Sequence, residues 1–535
     1  MIHRVRGWVM PVLAVLALGL ALASALWQPA GWLALVALVL FAVGLHDLLQ
    51  TRHGILRTYP VLGHIRFLLE DAGPELRQYI VEDNIEGRPF DRDTRSLVYQ
   101  RSKGVLDKKP FGTEQDVYAE GYGWVAHSMR PLPPSDDAAR EMRITLGGPE
   151  CTHPYSASVL NVSAMSFGAL SSNAVLALNS GARLGGFAQN TGEGGISRYH
   201  RAPGGDLIWQ VGTGYFGCRT PDGDFDAERF REQAALDAVK AIELKISQGA
   251  KPGHGGILPG VKVTPEIAEA RGVPVGRDCL SPPAHRVFDT PTGLLEFLAR
   301  LRELSGGKPV GMKLALGDPV QWMSVCRAIV AGAPPPDFVT VDGGEGGTGA
   351  APIEFSDHVG MPLKEALLIV HQSLVGIGVR DRVRVLAAGK LVTSFEMAAA
   401  FALGADAVNS ARGFMFALGC IQAQQCHSNR CPVGVTTQDA WLRRALIVER
   451  KAERVHHFHS KTVEAFAEMI GAAGLCHPRE LEPQHLYRRV NPWEIRTLEE
   501  LYPRLEPGAL LDGGGNGLLR GAWDAADASR FGGCA

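Results

Sequence analysis

The sequence predicts a (β/α)8 TIM barrel that follows an N-terminal two-helix transmembrane hairpin. Three observations carry this prediction. The chain has 535 residues, more than one typical domain. Its first fifty residues hold a long uncharged stretch, which is typical of membrane helices. Between about residues 150 and 450, short apolar runs alternate with segments of helical period.

The N-terminal hairpin is predicted over residues 1–50. From Gly7 to Leu45 no residue is charged, and the apolar run is interrupted only at Gln28 and Pro29. One membrane span needs about 20 apolar residues, so this length holds two spans and a tight turn. Basic residues on both sides place both ends in the cytoplasm, at the inner membrane: His3, Arg4, Arg6, Arg52, Arg57 and Arg66. A signal peptide is the alternative, because the small residues of ALASA (21–25) imitate a cleavage site.

Residues 51–150 are predicted to form a connecting or cap region. The segment HIRFLLEDAGPELRQYIVEDN (64–84) predicts an amphipathic helix that is broken at Pro74. Aromatic residues indicate packing against the following domain, although a simple spacer is the alternative: Phe90, Tyr99, Tyr118, Tyr122 and Trp124. At the other end, residues 476–535 are expected to be a partly loose extension, with GGGNG among them.

Residues 151–475 are predicted to be the barrel domain. Buried strands are predicted at ASVLNVSA (157–164), PVGMKLAL (309–316), DFVTVDGG (337–344), VRVLAAGK (383–390) and DAVNSARG (406–413). Helices are predicted at AALDAVKAIELK (234–245), PTGLLEFLARLREL (291–304), QWMSVCRAIVAG (321–332), LKEALLIVHQSLVG (363–376) and TSFEMAAAFALG (393–404). A doubly wound sheet is the alternative fold. In a barrel, the chemistry lies at the carboxyl ends of the strands.

Glycines follow several of these predicted strands. Gly344, Gly346 and Gly349 match G-x-G-x-x-G, but Ala-Ala-Pro follows in place of a helix, so a nicotinamide fold is not supported. Gly346 and Gly347 instead suit a loop whose backbone N–H groups approach an anionic group. Glycines end the next two strand candidates as well: Gly389 and Gly413. Each of them alone also fits an ordinary turn.

Three cysteines lie close together in CIQAQQCHSNRCPVG: Cys420, Cys426 and Cys431. Three soft thiolates on one short loop favour an iron–sulfur cluster. A zinc site that uses His427 and three unrelated buried thiols are the alternatives. The other six cysteines are isolated, as in reduced cytoplasmic proteins: Cys151, Cys218, Cys279, Cys326, Cys476 and Cys534. The formal net charge of −2 gives no sign of the basic surface that nucleic-acid binding requires, so we expect no nucleic-acid partner.

Five motifs in order resemble the flavin-binding synthase domain of glutamate synthase. They are SAMSFGALSS (163–172), NTGEGG (190–195), KISQGAKPGHGG (245–256), DGGEGGTGAAP (342–352) and CIQAQQCHSNRCPVG (420–434). The resemblance covers roughly residues 150–450 and implies FMN as a cofactor. Three cysteines suggest a [3Fe-4S] cluster, and a fourth ligand from elsewhere in the fold would make it [4Fe-4S]. The resemblance also implies that FMN is lined by Ser163, Ala164, Met165 and Ser166. In the same way, Gln248 and Lys251 would bind the carboxylates of a keto acid, with Glu193 near the reacting carbon.

Lys313 ends the predicted strand VGMKL and is the best candidate for tuning a flavin. A cation there would favour the anionic reduced ring. A lysine that faces solvent is the alternative.

The chain departs from the family pattern in one loop. Where the family usually has KPGEGGQLPG, this chain has KPGHGGILPG, with His254 for a carboxylate and Ile257 for an amide. Both charge and hydrogen bonding change, which leaves the exact keto acid open, while Lys251 keeps an anionic substrate plausible.

The resemblance implies reductive amination of 2-oxoglutarate. The family's glutaminase domain has an N-terminal cysteine nucleophile, whereas the first cysteine here is Cys151. We therefore expect a separate ammonia-supplying subunit or free ammonia, and an electron donor such as ferredoxin or a reductase subunit. The alternatives are a subunit of an N-methylglutamate-forming synthase and a membrane electron relay without amination activity.

Overall fold

The computed structural model describes residues 8–515 and 517–532. The expectations for His3, Arg4, Arg6, Gly7 and Cys534 fall outside these residues. The chain divides into two compact units, Met1–Arg92 and Asp93–Ala535.

The first unit begins with two consecutive apolar helices, Val9–Ala23 and Gln28–Leu49. In the described part of the chain, only Gln28–Leu49 is long and apolar enough to cross a membrane. The 15 residues of Val9–Ala23 span roughly 22 Å, short of the roughly 30 Å of a bilayer core. The predicted hairpin of two spanning helices is thus not confirmed. The unit continues with Gly54–Thr58, Gly63–Asp71, Gly73–Leu76 and the π-helix Arg77–Val81, so that the expected break precedes Pro74.

The second unit is built around a closed parallel barrel of eight strands. In chain order they are β1 (Leu160–Val162), β2 (Gln189–Asn190), β3 (Leu207–Val211), β4 (Val239–Lys245), β5 (Val310–Leu314), β6 (Phe338–Asp342), β7 (Arg384–Ala388) and β8 (Ala407–Ser410). Each strand pairs with the next, and β8 pairs with β1. This confirms the TIM barrel and rules out the doubly wound sheet, which has open edges.

Helices follow the strands around the barrel. They are Ser172–Gly185, Arg198–Arg201, Ala227–Ala234, Pro265–Arg271, Pro291–Leu304, Pro319–Val330, Ile353–His358, Leu363–Gly376, Ser394–Ala402, Arg412–Leu418, Ala440–Arg443 and Val448–Ala472. Side-chain caps fix several of their starts. The Oγ of Ser171, for example, accepts from the N–H of Ala174, which satisfies one of the free donors of the first turn.

One predicted helix is a strand in the structure. Residues 234–245 were expected to be helical, but the helix Ala227–Ala234 ends there and β4 follows. In the sequence, Glu243 stands where a helical pattern of apolar and polar residues expects a polar side chain. In the barrel, however, its two carboxylate oxygens accept from Asn190, Gln210 and Thr340, so a strand can bury it.

Smaller elements surround the barrel. They are helices Arg92–Lys103, Ala138–Glu141, Leu498–Leu501 and Gly517–Ala525, the 3-10 turns Gly260–Lys262, Pro478–Glu480 and Pro483–His485, and strands Gly123–Val125, Arg143–Leu146, Tyr155–Ser158, Ile257–Leu258, Cys279–Leu280, Leu486–Asn491 and Glu494–Thr497. Trp124 stacks on Tyr487, which pairs with it across two antiparallel strands. In the C-terminal extension, Trp523 is buried and lies beneath the guanidinium of Arg327.

Candidate active site

A cleft of about 390 Å³, solvent-open space included, lies at the carboxyl ends of the strands. We call it the strand-end cleft. Its walls are Ser163, Ala164, Lys313, Asp342, Gly346, Gly347, Gly389, Lys390, Leu391, Val392, Asn409, Ser410, Ala411 and Arg412. Six of the residues predicted to bind a cofactor are therefore brought together: Ser163, Ala164, Lys313, Gly346, Gly347 and Gly389. The carboxyl end is where the barrel fold places its ligands.

The other three predicted cofactor residues lie beside the cleft. Met165 and Ser166 continue the loop after Ala164, and a Cβ added at Gly192 would lie 2.5 Å from the backbone nitrogen of Ser166. Gly413 is buried in the helix Arg412–Leu418, where a Cβ would meet Ser410 and Phe458. The structure thus gives Gly413 a packing role.

Lys313 and Asp342 form a buried ion pair in the cleft wall, with Nζ and Oδ2 3.0 Å apart. Burial alone would lower the pKa of Lys313, but the carboxylates of Asp342 and Glu243 raise it above its ordinary value. The two carboxylates therefore favour the charged form of Lys313 at the end of β5.

The glycines of the cleft leave room that side chains would fill. A Cβ on Gly347 would come 2.9 Å from the guanidinium carbon of Arg412, and one on Gly346 would come 2.9 Å from Asp342. Gly389 has φ +132° and a Cβ there would approach the backbone of Gly343 at 3.2 Å. Such a bare backbone beside a guanidinium is suited to an anionic group.

A second group of charges surrounds Glu193, and we call it the basic cluster: Glu193, Lys245, Lys251 and Arg271. Lys245 ends β4, and its Nζ lies 2.8 Å from Oε1 of Glu193. Burial would raise the pKa of Glu193, but Lys245, with smaller contributions from Arg271 and Lys251, lowers it below its ordinary value. Three basic side chains face one carboxylate, so the cluster favours an anionic ligand.

Lys251 is buried within this cluster. Its pKa lies below the ordinary value of 10.5 because of burial and the like charge of Lys245. Gln248 lies at the same turn, and its carbonyl accepts from the N–H of Lys251. Among the described residues, Arg271 leaves its buried Nε without a hydrogen-bond partner, while its Nη2 donates to the carbonyl of Phe167 at 3.2 Å.

The loop of residues 246–262, which we call the substrate loop, crosses Glu193. A Cβ on Gly256 would lie 3.1 Å from Oε1 of Glu193, so the backbone itself approaches the carboxylate. His254 makes a local contact, with Nδ1 2.7 Å from the carbonyl oxygen of Gly255. Ile257 is 49% exposed and pairs with Leu280 across a short antiparallel ladder.

The three cysteines of residues 420–431, the cysteine loop, line a common cavity with Met415 and Val435. Three of its residues have left-handed backbone angles: Gln422, Gln424 and Asn429. Burial would raise the pKa of the Cys431 thiol, but backbone N–H groups of Thr436, Val433 and Val435 lower it and favour a thiolate. Over the described residues, no three His, Cys, Asp or Glu side chains are grouped closely enough to hold a single metal ion.

Sequence reasoning missed part of this site. Lys245 ends a segment that was predicted to be helical and begins the motif KISQGAKPGHGG, but no role was assigned to it. Arg271 ends the short helix Pro265–Arg271 and belongs to none of the motifs. Asp342 and Arg412 did stand in the quoted segments DGGEGGTGAAP and DAVNSARG, where a charged residue beside a strand end is a usable signal.

A closed parallel barrel with a cleft and a basic cluster at the carboxyl ends of its strands defines a barrel enzyme. Residues 149–476, more than half of the chain, match the conserved region in glutamate synthase. The chain therefore belongs to the glutamate synthase family and is a glutamate synthase-like oxidoreductase.

Relatives agree with this assignment. The chain is 37% identical over 505 residues to the glutamate synthase large subunit-like protein YerD of Bacillus subtilis (strain 168), covering 87% of this chain and 96% of that protein. It is 38% identical to the archaeal-type glutamate synthase (NADPH) of Thermotoga maritima, over 58% of each chain. A mandelate oxidase crystal structure is 17% identical, over 75% of this chain and 98% of that one, with a TM-score of 0.42. That overlap carries no argument about a ligand.

Proposed function

We propose that this protein is an FMN- and iron–sulfur-dependent synthase that aminates 2-oxoglutarate reductively to glutamate. The observation that carries the proposal is the basic cluster beside the strand-end cleft. A dicarboxylate keto acid has two negative charges, and Lys251 and Arg271 offer two cations to receive them.

The side chains and backbone that line the strand-end cleft are suited to binding FMN. Lys313 and Arg412 supply positive charge, and the bare backbone at Gly346, Gly347 and Gly389 leaves space for a phosphate. In the described residues, the buried Oδ1 of Asn409 has no partner and would accept from a ligand in the cleft. Ser163 and Ala164 form the wall after β1.

The cysteine loop fits a [3Fe-4S] cluster. Cys420, Cys426 and Cys431 face one cavity, and N–H donors at Cys431 suit a ligating thiolate. The exposed His427 lies outside the residues that line this cavity.

The residues of the basic cluster can handle the protons of amination. Addition of ammonia to the 2-oxo carbon gives a carbinolamine, and loss of water from it gives an imine. Both steps move protons, for which the carboxylate of Glu193 and the ammonium of Lys245 form an acceptor and donor 2.8 Å apart. When bound, FMN supplies the hydride that reduces the imine, and the cluster supplies electrons to the flavin one at a time.

The test uses purified full-length protein. Its absorbance and iron content establish the cofactors, and glutamate formation is assayed with 2-oxoglutarate, ammonia and a reduced artificial donor. We expect turnover that the Glu193→Gln variant loses. Faster turnover with methylamine in place of ammonia would indicate an N-methylglutamate-forming enzyme, and electron transfer without any amino acid product would indicate a relay.

We also propose that helix Gln28–Leu49 anchors the protein in the inner membrane with the barrel in the cytoplasm. Its length and apolar composition support this, as do Arg52, Arg57 and Arg66 after it. A chain that starts at Thr51 should be soluble and keep its flavin. Membrane association of that shortened chain, or loss of its flavin, would contradict the proposal. The electron donor and any ammonia-supplying subunit would then meet the barrel from the cytoplasmic side.

A further inference from the structure

Lys262 is a buried lysine that reaches from the substrate loop into the cysteine loop. The residue is 2% exposed, and its Nζ donates to the carbonyl of Cys426 at 2.7 Å and to the carbonyl of Thr436 at 2.9 Å. Lys262 thus holds the chain on both sides of Cys431, the last of the three cysteines.

The charged groups around Lys262 are unusual for a buried lysine. Buried ammonium groups normally pair with a carboxylate. Burial lowers the pKa of Lys262 below its ordinary value, and the opposing contributions come from Cys426 and Cys431. Its neighbours are therefore two of the three sulfurs proposed to hold iron, together with two backbone carbonyls.

The position of Lys262 along the backbone is fixed by the segment that carries it. Lys262 ends the 3-10 turn Gly260–Lys262. The N–H of Gly260 donates to Asp278 at 2.7 Å, and a Cβ on Gly260 would lie 2.6 Å from the carbonyl oxygen of Gly276. The same loop carries Lys251 into the basic cluster, so one loop contacts both sites.

We propose that Lys262 is a positioning residue that holds the cysteine loop in place and raises the reduction potential of its cluster. The inference rests on the cluster of the proposed function. A reduced cluster has one more negative charge than an oxidised one, and a buried cation beside it stabilises that charge more than water would. Hydrogen bonds and buried charge around the sulfurs are among the factors that set such potentials.

The experiment measures iron per protein and the midpoint potential of the cluster by redox titration followed by electron paramagnetic resonance. The variants are Lys262→Arg, which keeps the cation, Lys262→Gln, which keeps a donor without charge, and Lys262→Met. The control is Lys308→Met, because Nζ of Lys308 also donates to two backbone carbonyls, those of Ala234 and Leu236, beside the opposite end of the barrel.

We expect Lys262→Gln and Lys262→Met to shift the midpoint to lower potential, or to lose iron, while Lys262→Arg and Lys308→Met keep both iron and midpoint. An iron-loaded Lys262→Gln or Lys262→Met protein with the wild-type midpoint would overturn the proposal. So would loss of iron from Lys262→Arg, since a retained cation should still hold the loop. Wild-type protein without iron would instead refute the cluster itself, before any variant is compared.

Discussion

The carboxylate of Glu193 and the ammonium of Lys245 form an ion pair of 2.8 Å at the end of strand β4. The two residues are distant in sequence and meet because the carboxyl ends of β2 and β4 lie at the same end of the parallel barrel. Lys245 keeps the carboxylate ionised where burial would otherwise favour its neutral form.

Replacing Lys245 by Met should leave Glu193 without its partner. Loss of one member of a buried pair costs roughly 3–5 kcal/mol of unfolding free energy, measurable by urea denaturation. The pKa of Glu193 is depressed below 4.5, so its contribution is present above that pH and is lost as pH falls through the folded pKa. In the variant, the acid limb of the rate profile should move to higher pH. An unchanged profile, with the double variant Lys245→Met/Glu193→Gln no more stable than the single one, would contradict the pairing.

Replacing Cys426 by Ser should remove iron and cluster absorbance while most of the flavin stays bound, because oxygen is a poorer ligand for this iron. The matched control is Cys476→Ser, since Cys476 is exposed and far along the chain from the cysteine loop. Stoichiometric zinc without iron in the wild type would show that the redox assignment is wrong.

Replacing Lys251 by Ala should weaken 2-oxoglutarate binding by roughly ten- to a hundredfold, or about 1–3 kcal/mol, in a titration followed by the flavin spectrum. Lys251→Arg keeps the charge and serves as the control. The pKa of Lys251 is lowered from 10.5 by burial and by Lys245, so wild-type binding should already weaken with alkali below that pH. Full affinity in Lys251→Ala would remove the substrate loop from the site.

The double change His254→Glu and Ile257→Gln should strengthen 2-oxoglutarate binding, by roughly tenfold or more, if the wild type prefers another keto acid. It restores a carboxylate and an amide in the loop that carries Lys251. Val261→Gln is the control, because Val261 is 72% exposed in the same loop. If the control and the double change alter 2-oxoglutarate binding equally, the side chains at positions 254 and 257 do not contact the substrate.

Replacing Gly389 by Ala should release flavin. The residue has φ +132°, and its Cβ would also narrow the cleft near Gly343. Strain of this kind costs about 1–3 kcal/mol. The control is Gly378→Ala, since Gly378 also has a positive φ, of +74°, with nothing within 4 Å of its Cβ. We expect the control variant to be less stable but to keep its flavin. The measurement is the amount of flavin that stays bound to the protein through gel filtration.

The sequence was most informative where a strand is a mostly apolar, buried run. Strands β5 to β8 follow this pattern and were predicted close to their observed bounds. Strand β2 has two residues, too few for any period. Strand β4 carries Glu243, whose carboxylate finds its hydrogen-bond donors only on other strands of the barrel. Periodicity does not reveal partners that come from other strands.

The same limit applies to the site. Lys313 and the glycines after β6 and β7 were found because each stands beside its own strand end. Arg271 and Lys262 were not, because what makes them functional candidates is a contact with residues far away in sequence, Phe167 for one and Cys426 for the other.

The long connection between β4 and β5 carries Lys251, Lys262 and Arg271, whereas the strand-end cleft draws its residues from other parts of the barrel. Two of the three basic residues that act on Glu193, Lys251 and Arg271, thus lie in one contiguous stretch of the chain, residues 246–309, while Glu193 and Lys245 lie outside it. A protein engineer could exchange that stretch between relatives as a cassette, with the residues of the strand-end cleft left in place. Under the proposed function, only a cassette whose residue at position 262 matches the recipient's cysteine loop would preserve electron transfer to the new substrate.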